Sequence, residues 1–103
     1  MFLDVEKAIP CGLIVNELVS NALKHAFPAE RQGEIRIELR PDETDRVTLR
    51  VSDSGVGFPP GVDFRQTTSL GLRLVNTLTE QLAGTIELQN SGGAAFEIRF
   101  SAK

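Results

Sequence analysis

The sequence predicts a two-layer α/β sandwich, an α+β fold in which a mostly antiparallel sheet is covered on one face by helices. Three observations predict it. Strand signals come in hairpin pairs, which favours antiparallel neighbours. The order along the chain is helix, two strands, loop, helix, two strands, whereas a doubly wound fold would alternate single strands with helices. Two helices can cover only one face of such a sheet. With 103 residues and 41% apolar content, the chain suits one domain over residues 1–103 with a small core. Leu, Ile, Val and Phe must supply that core, because the chain has no Trp and no Tyr.

Each element has its own signal. The first helix is expected from about Pro10 to Phe27, since Pro10 suits a first helical turn and Pro28 stops the run. Val15, Leu18, Val19, Ala22, Leu23 and Ala26 fall on one side of it at helical spacing. Residues 34–40 alternate, with Ile35, Ile37 and Leu39 on one face and Arg36, Glu38 and Arg40 on the other, the mark of a half-buried strand. Pro41 to Asp45 read as a turn, and Val47, Leu49 and Val51 as a second strand. Residues 54–68 are rich in Gly and Pro and lack periodicity, so they form a loop. A second helix follows over Leu70–Leu82, with Gly71, Leu74, Val75, Leu78 and Leu82 on its buried stripe and Gly84 at its end. Thr85–Gln89 and Ala95–Phe100 close the chain as a hairpin around Asn90-Ser91-Gly92-Gly93.

Composition excludes several functions. A net charge of −3 argues against a nucleic-acid surface, which needs a basic patch. Cys11 is the sole cysteine, so no internal disulfide forms and a reducing, cytoplasmic setting is expected. No apolar run approaches the roughly 20 residues of a membrane span, and no signal peptide is evident. Phe2-Leu3-Asp4-Val5 reads as the tail of a strand, so the chain is expected to be a piece of a longer protein. There is no GxxxxGK[ST] or GxGxxG, and a single His and a single Cys do not make a zinc site.

Three motifs carry chemistry. Glu17, Asn21 and Lys24 stack along one stripe of the first helix at i, i+4 and i+7, flanked by His25. A solvated stripe with a Glu–Lys pair is the plain reading. The mixture suggests more: a carboxylate can accept a proton, an amide oxygen can ligate a hard cation, and an amine and an imidazole can meet phosphate oxygens. Magnesium is usually held by one or two protein oxygens plus phosphates and waters, so one Asn suffices. Next, Asp53-Ser54-Gly55-Val56-Gly57 follows a strand. It is either a tight turn or a place where two glycines let the backbone approach a flat ligand while Asp53 accepts from an amino group such as adenine's. Third, Ser69-Leu70-Gly71-Leu72 enters the second helix. It is either a Ser cap with a packing glycine, or a helix N-terminus whose free N–H groups meet phosphate.

In this order the motifs resemble the superfamily shared by histidine kinases, type II topoisomerases and MutL, with its Bergerat-type ATP-binding fold. Asn16 to Pro28 looks like its N box, Asp53 to Gly57 like its G1 box and Ser69 to Leu72 like its G2 box. Gly92-Gly93-Ala94-Ala95-Phe96 resembles its closing strand. The Asn-Glu-Leu start and Lys-His-Ala-Phe-Pro end resemble the histidine-kinase branch whose sensors carry the second type of phosphoacceptor domain. The resemblance implies that the chain binds ATP with Mg2+ and supplies the γ-phosphate to a histidine on a separate phosphoacceptor domain, upstream of a response regulator. It implies Glu17 as general base or orienting group, Asn21 as the magnesium ligand, and Lys24 and His25 on phosphates. Asp53 would accept from the adenine amino group, Gly55 and Gly57 would shape the adenine floor, and Ser69, Leu70, Gly71 and Leu72 would form the phosphate-facing helix entry. Residues 58–68 would be a lid, ordered by nucleotide and anchored by Phe58 and Phe64.

Two departures stand out. Ala94 and Ala95 occupy the place where the family often has Thr beside the base, and His25, the only histidine, sits in the nucleotide helix and is a poor phosphoacceptor. Neither nucleic acid nor direct membrane contact is expected, and attachment of the parent is open. The competing readings are a nucleotide-binding regulatory module without transfer, and an anti-sigma-type serine kinase or other ATPase of the superfamily.

Overall fold

The computed structural model describes residues 3–25, 33–42, 45–55, 70–90 and 92–102. Helix α1 is Val5–His25, strands β1 and β2 are Ile35–Pro41 and Arg46–Asp53, helix α2 is Leu70–Gln81, and strands β3 and β4 are Thr85–Gln89 and Ala95–Ser101. The strands form one antiparallel sheet in the order β1-β2-β4-β3. The expected α+β architecture is present, with β2 and β4 central and both helices on one face.

That face carries the core. Val47, Leu49 and Val51 of β2 stand opposite Phe100, Ile98 and Phe96 of β4, all buried. Cys11, Ile14 and Leu18 of α1 and Leu72, Val75 and Leu78 of α2 close over them. Burial also pushes the Cys11 thiol up from its ordinary pKa, because a thiolate there would lose its hydration. The opposite face is polar. Arg50 lies between Glu38 of β1 at 3.7 Å and Glu97 of β4 at 3.8 Å, directly across the ladder from both.

Four sequence expectations change. First, α1 begins at Val5, one turn and more before Pro10. Residues 3–5 are therefore not the tail of a strand: the Asp4 carbonyl accepts from the amides of Lys7 and Ala8, opening the helix, and Leu3 packs against the core. Pro10 lies inside the helix, where it forgoes one backbone bond, while Leu3, packed against the core, holds the added turn in place. Second, the buried stripe of α1 includes Cys11 and Ile14, and Leu23 is 65% exposed. Third, β1 continues through Pro41, which pairs with Val47 instead of starting the turn. Pro is tolerated there because β1 is the sheet edge. Fourth, Ile37 and Leu39 point to the helix-covered face, opposite Val51 and Leu49, yet are 50% and 41% exposed. Among the described residues, α1 approaches β1 at only a few positions and leaves these two side chains partly uncovered.

The end of α2 shows how a turn is chosen by packing. Ala83 takes a left-handed φ of 53°, and its amide donates to the Glu80 carbonyl, while the Gly84 amide donates to the Thr79 carbonyl. This is the double bond pattern that closes a helix C-terminus. The left-handed residue is thus Ala83, and Gly84 serves another purpose: a Cβ on it would lie 2.5 Å from the Arg99 carbonyl oxygen of β4. Left-handed backbone costs a residue with a Cβ about 1–2 kcal/mol. Ala83→Gly is therefore expected to raise the unfolding free energy by about 1 kcal/mol, read as a higher Tm by circular dichroism. A lower Tm would contradict this account of the turn.

Candidate functional site

The buried stripe of α1 sets where its polar flank goes. With Ile14, Leu18 and Ala22 turned to the core, Glu17 and Asn21 are turned toward α2, and one more turn adds Lys24. Glu17, Ser20, Asn21 and Lys24 line an open cleft of about 310 Å³, closed on the other side by Leu70, Gly71 and Leu74 of α2. The first and third motifs, whose lining residues are 46 or more positions apart in the chain, thus meet across the α1–α2 seam. Among the described residues no ion pair joins Glu17 to Lys24, so the simple Glu–Lys pair is not formed.

Gly71 makes the close approach possible. A Cβ there would lie 2.8 Å from Oε2 of Glu17, inside van der Waals contact with a carboxylate oxygen. The Glu17 carboxylate therefore sits beside the first turn of α2, whose N–H groups lack partners within the helix and whose dipole end is positive. A cleft with a carboxylate, an amide, an amine and a helix N-terminus can hold a polyanion together with a hard cation. Leu72 sends its side chain into the core at 6% exposure, leaving only its backbone for a ligand. Leu74, expected in the buried stripe, is 38% exposed and lines the cleft. Ser20 was not among the expected site residues. Its spacing of i+3 from Glu17 and i−4 from Lys24 is the signal that places it there.

The second motif ends β2, the strand held on both sides. The Asp53 amide donates to the Ala94 carbonyl at 2.9 Å, and Oδ1 of Asp53 accepts from the amides of Gly55 at 2.9 Å and Ala94 at 3.3 Å. On the β1 side the Ser54 amide donates to the Glu34 carbonyl at 3.0 Å, and the Ser54 hydroxyl accepts from the Glu34 amide at 2.8 Å. Gly55 is buried. Asp53 and Gly55 are not among the residues lining the α1–α2 cleft. Gly57, Ser69 and the lid at 58–68 with Phe58 and Phe64 lie outside the described residues, as does the side chain of His25, which ends α1.

Comparison with known proteins identifies the family of the fold. A family described as histidine kinase-, DNA gyrase B- and HSP90-like ATPase matches residues 6–103. The chain is 35% identical over 92 residues to the sensor histidine kinase PdtaS of Mycobacterium tuberculosis, covering 86% of this chain and 18% of that protein. It is 44% identical over 46 residues to the serine-protein kinase RsbW of Listeria innocua, covering 45% of this chain and 29% of the relative. The histidine kinase domain of the blue-light-activated kinase EL346 from Erythrobacter litoralis superposes with a TM-score of 0.88 at 28% identity, over 95% of this chain and 46% of that one. The chain thus spans less than a fifth of PdtaS and under half of the EL346 domain. With the family model matched over residues 6–103 and the fold shared with a histidine kinase domain, the chain belongs to the histidine kinase-, DNA gyrase B- and HSP90-like ATPases as an ATPase domain of the histidine-kinase kind.

Proposed function

We propose that this chain binds Mg-ATP with its phosphates in the α1–α2 cleft and its adenine at Asp53, and hands the γ-phosphate to a histidine on a separate phosphoacceptor domain. The observation that carries the reading is the meeting of Glu17 and Asn21 with the Gly71 end of α2. A pure nucleotide binder needs no carboxylate against the phosphate-facing helix end, whereas a transferase can use one to accept or orient a proton. The donor set fits magnesium: Asn21 offers one neutral oxygen, and phosphates with water would complete six-coordination. Among the described residues no group of three or more His, Cys, Asp or Glu stands ready to hold a metal. An ion here would therefore arrive with the nucleotide. Lys24 and the α2 amides would neutralise phosphate charge, Glu17 would act at the attacking group, and the ion would draw charge from the leaving phosphate oxygens. Catalysis of this kind is positioning and charge neutralisation. Transfer in a two-component pathway, with a response regulator as the final acceptor, belongs to this proposal.

Binding is expected to need magnesium and to favour ATP over GTP, because guanine places a carbonyl where adenine has its amino group. Calorimetry with each nucleotide, with and without Mg2+, checks this. Equal affinity for GTP removes the role given to Asp53.

The resemblance of 46 residues to a serine-protein kinase supports a second acceptor, a serine on a partner protein. Incubating the chain with Mg-ATP and, in turn, a histidine phosphoacceptor domain and a serine-bearing partner protein separates the two, since phosphohistidine is acid-labile and phosphoserine is acid-stable. In that assay Glu17→Gln should slow transfer by about a hundredfold or more with little change in Kd, as a group acting in the transition state must. Asn21→Ala should weaken magnesium-dependent binding by about tenfold or more. Normal transfer by Glu17→Gln would reduce Glu17 to a packing partner of Gly71.

A further inference from the structure

We propose that Gly93 and Ala94 are positioning residues for base recognition: their backbone locks the Asp53 carboxylate in one orientation and so sets how sharply adenine is told from guanine. This rests on the reading of Asp53 as the adenine acceptor and goes beyond it by naming what holds that acceptor still.

Two glycines lead into β4, with left-handed φ values of 67° at Gly92 and 119° at Gly93. At Gly92 a Cβ would meet nothing within 4 Å, so only its φ favours glycine. Gly93 differs. A Cβ there would fall far inside the van der Waals radius of the Asp53 carbonyl oxygen and 3.3 Å from Asp53 Oδ1. Its neighbours are backbone at the end of a central strand, which cannot swing aside. No other residue type lets the chain pass so close to Asp53. That passage delivers the Ala94 amide to Oδ1 at 3.3 Å, while the Gly55 amide reaches the same oxygen at 2.9 Å from the other side. The Asp53 amide returns a bond to the Ala94 carbonyl, so the two residues are tied in both directions. Ala94 and Gly93 are buried, which keeps water from replacing these bonds.

The consequence is chemical. With both Oδ1 lone pairs engaged, Oδ2 is the oxygen left to accept, and among the described residues it meets no donor. An amino group satisfies it. A carbonyl brings oxygen against carboxylate oxygen, and a clamped Asp53 cannot rotate away to relieve that repulsion. Discrimination by a fixed, half-buried acceptor is sharper than by a mobile one, because the wrong partner leaves it unpaired. Loosening Asp53 should therefore erode selectivity beyond any loss of stability.

Gly93→Ala and Gly84→Ala separate these effects in the 103-residue chain. Both put a Cβ into backbone, Asp53 in one case and Arg99 in the other, and Gly84 precedes the hairpin at the far end of β4. Affinities for Mg-ATP and Mg-GTP are compared at matched folded fraction. The expected result is at least a tenfold loss of ATP preference in Gly93→Ala and an unchanged preference in Gly84→Ala. Full preference in Gly93→Ala, or equal loss in both, overturns the proposal. Should Gly93→Ala not fold, amide exchange decides. Asp53→Ala should speed exchange at Gly55 and Ala94 by about tenfold or more, the worth of a charged hydrogen bond, with Ile98 unchanged. Unchanged exchange at Gly55 and Ala94 overturns the clamp. Wild-type protein without ATP preference is a separate failure, of the adenine reading on which the clamp rests.

Discussion

Two helices share one face of a four-strand sheet, and the seam between them is the constraint on which this structure depends. Neither helix can shift sideways without exposing Ile14, Leu18, Val75 or Leu78, all of which close over β2 and β4. Because α1 must turn Ile14 and Leu18 down, it must turn Glu17 and Asn21 toward α2. Because α2 must bury Leu72 and Val75, its first turn must arrive beside Glu17. The cleft is thus a by-product of core packing, and Gly71 is the residue that keeps it narrow enough to be useful. Chemistry placed in this way is rigid without any dedicated scaffold, as a site that acts by positioning requires.

The same logic applies at the other end of the proposed ligand. Asp53 ends a central strand, so both of its neighbours in the sheet can hold it: Glu34 through Ser54 on one side and Ala94 on the other. An edge strand would hold it from one side only. The strand order β1-β2-β4-β3 therefore bears on recognition as well as on stability. It makes the last hairpin, whose described residues do not line the α1–α2 cleft, a support for the base-reading residue.

Much of this was legible in the residues, and the failures share a cause. Alternation placed Ile37 and Leu39 on the correct face, because side-chain direction is a local property of a strand. Their depth was not legible, because it depends on β1 being an edge strand that α1 covers only in part. Pro10 read as a helix start by the usual preference of proline for a first turn, while the packing of Leu3 on the core, which holds the earlier start in place, is tertiary. In the site, the helical stripe at Glu17, Asn21 and Lys24 was readable from spacing alone, and Ser20 could have been added by the same rule. The hold of Ala94 on Asp53 spans 41 residues and exists only once β2 and β4 are paired. No local pattern announces it.

The central claim is that one nucleotide spans both clusters, phosphates in the helix seam and base at the end of β2. Amide NMR of the chain titrated with a magnesium-bound, non-hydrolysable ATP analogue tests it most directly. The account predicts that the resonances of Asn21, Lys24 and Gly71 move together with those of Asp53, Gly55 and Ala94, all following one binding curve. Movement confined to one cluster, or two curves of different affinity, would contradict it.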